Sequence, residues 1–73
     1  IMDSLKDRIE IIKYMNDFII ELGDEDIYSS WIMTVPDEPT ESDFIDMALD
    51  MPFYNYVIEV YADLVAYDKK YNY

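Results

Sequence analysis

A chain of 73 residues with 17 acids, five bases and a formal net charge of −12 has neither cysteine nor histidine. That composition excludes disulfide staples and thiol chemistry, and it removes the usual imidazole acid–base group and the commonest zinc ligand. So negative a chain is expected to bind neither nucleic acid nor an anionic membrane directly, while a hydrophobic share of 52% is too high for an acidic disordered tail.

The charge is unevenly placed. All the acids except Asp3, Asp7 and Glu10 lie between Tyr14 and Asp68, a stretch without a single Lys or Arg. The bases sit outside it: Lys6, Arg8 and Lys13 before, Lys69 and Lys70 after. Self-repulsion opposes compaction of such a run, yet apolar residues are threaded densely through it. A folded domain with a negative surface is expected, 1–73 forming one small acidic helical unit. Burial at this size reaches only about 60% of the unfolded surface, so stability should be modest. No leader-like stretch and no apolar run of about eighteen residues is present, and a cytoplasmic location is expected.

Residues 4–22 read as the first helix. Asp3 or Ser4 caps it, and Asp7 suits its N-terminal dipole. Leu5, Ile9, Ile12, Met15, Ile19 and Leu22 share one face, widened by Ile11 and Phe18. Asp3, Asp7, Glu10, Asp17, Glu21 and Asp24 form an opposite acidic stripe that also holds Tyr14. Lys6 and Lys13 stand at i,i+4 spacing from Glu10 and Asp17, so pairing within the helix is expected. Gly23 is a natural stop, because glycine takes the left-handed conformation without a Cβ clash.

Asp24-Glu25-Asp26 opens the next element. Ile27, Tyr28, Trp31, Ile32 and Val35 follow at helical spacing, and three acids at an N-terminus favour helix over 25–35. A short strand over 31–35 competes, since the stretch is aromatic and β-branched, but no second strand offers a partner. Pro36-Asp37-Glu38-Pro39 reads as a rigid turn. Thr40 and Asp43 resemble a capping box for a third helix over 41–50. Its apolar face is Phe44, Ile45, Ala48 and Leu49, with Met47 at the border, and Asp43, Asp46 and Asp50 lie opposite. Asp50 and Pro52 mark the start of a fourth helix, 52–70. Its apolar arc spans Phe53, Tyr56, Val57, Val60, Leu64, Tyr67 and Tyr71, extended by Tyr54, Ile58, Tyr61 and Val65. So broad an arc is either central to the core or contacts a second copy of the chain.

The expected fold is all-α, four helices, two long and two short, with the first and last packed together. The expected core is Ile9, Ile12, Met15, Ile19, Trp31, Phe44, Leu49, Val57, Val60 and Leu64.

Catalysis finds little support. A glycosidase sets two carboxylates across a sugar ring, but a domain this small does not enclose that substrate, and no enzyme is expected. Residues 24–35 begin faintly like a calcium loop. Ser29 stands where the turn glycine belongs and Val35 where the closing glutamate belongs. With one glycine in the chain, no phosphate-cradling loop exists. Neither a metal nor a cofactor is expected. Most of the eight tyrosines belong to the core and its edge; Tyr14, Tyr71 and Tyr73 are the expected surface ones.

Two functions remain. In the first, rows of carboxylates occupy the Lys/Arg groove of a nucleic-acid-binding protein and compete with phosphate there. In size and composition the chain resembles the small antirestriction and anti-CRISPR proteins of phages and mobile elements. The resemblance extends to no motif, so no functional residue is carried over from it. The carriers expected from the charge run are Asp37, Glu38, Glu41, Asp43, Asp46 and Asp50, followed by Glu25 and Asp26. Reversing Asp43, Asp46 and Asp50 to Lys is expected to spare the fold. In the second, the chain is a helical adaptor or assembly module, homodimeric in one version, whose acidity serves solubility.

Overall fold

Four helices follow one another in the computed structural model: α1 (Leu5–Leu22), α2 (Glu25–Ile32), α3 (Glu41–Leu49) and α4 (Met51–Tyr71). It describes residues 4–71, with side chains as far as Ala66, and no strand occurs among them.

Each helix start has a local cause. The Ser4 hydroxyl accepts the Asp7 amide at 3.1 Å. Asp24 Oδ1 accepts the amides of Asp26 and Ile27 at 3.0 and 3.1 Å. Thr40 and Asp43 complete a reciprocal capping box: the Asp43 amide donates to Thr40 Oγ1 at 3.2 Å and the Thr40 amide to Asp43 Oδ2 at 2.8 Å. Each pairs amides that a helix leaves without a partner. Gly23, with φ 72°, ends α1 in the left-handed conformation. Asp50 serves two helices. It is the last cap of α3, and its Oδ1 accepts the Phe53 amide at the head of α4 at 3.2 Å.

Helix α2 stops at Ile32, short of the expected end at Val35. The amides of Thr34 and Val35 both close on the Trp31 carbonyl, at 3.1 and 2.9 Å. Pro36 disfavours helical geometry at the residue before it, and Val35 instead turns inward to 1% exposure. In the connector that follows, Glu38 adopts φ 53°, a left-handed position costing a non-glycine residue about 1–2 kcal/mol.

α1 and α4 touch, as expected, but the widest helix–helix seam is α1 against α3. Ala48, fully buried, has no bulk to hold the two backbones apart. The core takes Ile12, Met15 and Ile19 from α1, Trp31 from α2, Phe44 from α3, and Val57 and Leu64 from α4, all as expected. Val35, Ala48, Phe53 and Tyr54 join them. Ile9 and Val60 are only partly buried at its edge. Leu49 is a correction: it is 61% exposed. Close packing on Ala48 rotates α3 so that Phe44, Met47 and Ala48 face inward while Ile45 and Leu49 turn out. Leu5 and Leu22, at the two ends of α1, are also exposed.

At the centre, the Trp31 ring lies 6.0 Å from Phe53 and 6.5 Å from Tyr56 between centroids. Its indole N–H donates to Asn16 Oδ1 at 2.9 Å. A buried indole requires such an acceptor.

Candidate protein-interaction surface

The carboxylates expected to carry function fall into three groups. Glu41 is neutralised. Lys13 Nζ, on α1, reaches Glu41 Oε2 at 2.8 Å across the α1–α3 seam, and the same ammonium stands 5.5 Å from the centre of the Phe44 ring. The sequence places no base near Glu41; the fold brings one from 28 residues away. This also corrects the expected pairing of Lys13 with Asp17, and Lys6 forms no ion pair within 4 Å among the described residues.

Asp43 and Asp50 form the second group. Their oxygens accept backbone amides at helix starts, so both hold the fold as well as carrying charge. Lysine at either position would remove a cap, and the expectation that reversing them spares the fold is withdrawn. Asp50 also leaves the Asp43–Asp46 row, because α3 ends at Leu49.

The third group is Asp37, Glu38, Asp46, Glu25 and Asp26. All five are exposed, and none has a cation within 4 Å among the described residues. Asp37 and Glu38 lie on the connector, Asp46 on α3, and Glu25 and Asp26 on the first turn of α2. They do not form one tight cluster: among the described residues no three acids converge closely enough to hold a metal ion.

Two of the grooves bear on this surface. One, of about 480 Å³, runs between α1 and α4 and is lined by Asp7, Glu10, Ile11, Tyr14, Ile58 and Tyr61. Tyr14 is exposed, as expected, and its ring meets Tyr61 edge-on at 6.3 Å. Tyr71 and Tyr73, the other expected surface tyrosines, lie outside the described side chains. The second groove separates α2 from α4 and has two adjoining openings of about 290 and 370 Å³ that share Ile27, Asp63 and Leu64. Asp26 and Asp24 stand on the α2 side, Asp63 on the α4 side. Asp63 was not among the expected carriers. Its position on the polar face of the last helix is legible in the sequence, but its nearness to Asp26 depends on how α2 folds back.

No family model, no curated protein and no solved structure matches this chain. No helix among the described residues is long and apolar enough to cross a membrane.

Proposed function

We propose that this protein binds a basic, nucleic-acid-binding protein and covers its cationic groove, its carboxylates standing in for phosphates. The observation that carries this reading is the lack of compensation. Among the described side chains, Glu41 alone has a cation within 4 Å, and the remaining acids project from the helices and, for Asp37 and Glu38, from the connector between α2 and α3. Uncompensated surface charge of one sign steers an oppositely charged partner and raises its association rate, without requiring one tight cluster. The exposed carriers are Asp37, Glu38, Asp46, Glu25 and Asp26, with Asp43 and Asp50 adding charge from their capping positions. Such a protein is an inhibitor of the antirestriction or anti-CRISPR type, acting in the cytoplasm of the cell that holds its target.

A helical adaptor, self-associating in one version, is the second reading, and the apolar α1–α4 groove around Tyr14, Ile58 and Tyr61 favours it. A competition assay separates the two. Nucleic acid bound to the captured target should be displaced by this protein, less effectively as salt rises, and Asp37→Lys with Glu38→Lys and Asp46→Lys should abolish displacement. Simultaneous binding of protein and nucleic acid to the target, or full potency in the triple variant, would leave the adaptor reading in place.

A further inference from the structure

The groove between α2 and α4 lies where side chains bridge the two helices while their backbones stay apart. Among the described residues no Cα of α2 approaches one of α4 within 8 Å. Trp31 spans the gap by packing on Phe53 and Tyr56. Beside it remain openings with an apolar floor that includes Ile27 and Leu64. Carboxylates stand on both sides, Asp24 and Asp26 on one and Asp63 on the other, and among the described side chains no Lys or Arg lines either opening.

We propose that this groove is the docking site for a partner-protein segment in which an apolar side chain is flanked by lysine or arginine. The apolar side chain seats between Ile27 and Leu64, and its cationic neighbours meet Asp26 and Asp63 across the opening. Charge complementarity selects the occupant. A second copy of this chain brings further acids, whereas a basic segment meets opposite charge on both walls. The proposal rests on the basic-partner reading and assigns it a place and an anchor.

Two capped pentapeptides, Arg-Arg-Leu-Arg-Arg and Arg-Arg-Ser-Arg-Arg, test it when titrated into the full chain at low salt. Backbone amide shifts and the fluorescence of Trp31, the single tryptophan, provide the readout. The leucine peptide should bind at least about fivefold more tightly, as partial burial of its side chain requires, with shifts centred on Ile27, Trp31 and Leu64. Asp26→Asn with Asp63→Asn should weaken it by about fivefold. Asp7→Asn with Glu10→Gln removes the same charge from the α1–α4 groove and should change affinity by less than about twofold once distant charges are screened. If the peptides bind alike, or both charge-pair variants weaken binding alike, the groove is not the site although basic segments are still attracted. If neither peptide binds, the basic-partner reading falls with it. Should the Asp26/Asp63 variant fail to fold, the peptide comparison and shift map on the unaltered chain decide.

Discussion

Trp31 and Asn16 form a buried polar pair, indole nitrogen to amide oxygen at 2.9 Å, inside an otherwise apolar centre. Trp31 is 1% exposed and Asn16 9%. Trp31→Ala should cost about 3–5 kcal/mol, combining lost burial with a cavity. Asn16→Leu keeps similar bulk but strands the indole N–H, at about 1–3 kcal/mol. Urea melts followed by circular dichroism check both. A loss under about 1 kcal/mol for Trp31→Ala would mean that the ring is not fully buried in solution.

The Lys13–Glu41 bridge should stabilise only weakly. Both side chains are substantially exposed, 41% and 66%, and pairs of this kind contribute about 0–1 kcal/mol. A double-mutant cycle with Lys13→Met and Glu41→Gln should return a coupling within that range, shrinking as salt is added. A coupling that persists at high salt would place the pair in a drier setting than its exposure indicates.

Helix caps should matter more than the charges they carry. Asp50→Ala and Thr40→Ala should each cost about 1 kcal/mol, because each removes an acceptor from a helix start. Asp46→Ala, on the exposed side of α3, should stay within about 0.5 kcal/mol. Comparing denaturation midpoints across the three variants separates capping from charge; equal losses would contradict the assignment.

Salt should stabilise the whole molecule. Uncompensated carboxylates repel one another, and screening shortens that repulsion from about 30 Å at 0.01 M salt to about 3 Å at 1 M. The melting temperature at neutral pH should therefore climb with sodium chloride. A flat profile would show that self-repulsion is a minor contribution.

Much of the fold is legible in the sequence because its signals are local. Ser4, Gly23, Asp24, Thr40 and Asp50 act within three residues of their own positions, and apolar spacing orients α1 correctly. What sequence spacing does not supply is rotation and long-range approach. Leu49 belongs to an apolar stripe in the sequence, yet close packing on Ala48 turns it outward. Val35 is buried from a connector, where helical periodicity no longer applies. The candidate surface suffers most from this. Glu41 stands far from any base along the chain but beside one in space, and Asp43 and Asp50 look like plain surface charge until their hydrogen bonds are seen. Asp63 joins Asp26 only through the return of α2.

Helix α2 is eight residues long, and it meets the rest of the molecule through a short backbone seam with α1, the rings and hydrogen bond of Trp31, and the partly buried Ile27 and Tyr28. So short an element can open while the α1–α3 seam stays closed, at a free energy that includes the loss of the Trp31 packing. Its amides should thus exchange with deuterium as a block, ahead of those along the α1–α3 seam. Each such opening carries Trp31 out of the core, so the partial opening and the loss of the central packing are one event. A molecule seated against α2 would slow exchange in that block selectively, making α2 the place where occupancy of the groove is read most directly.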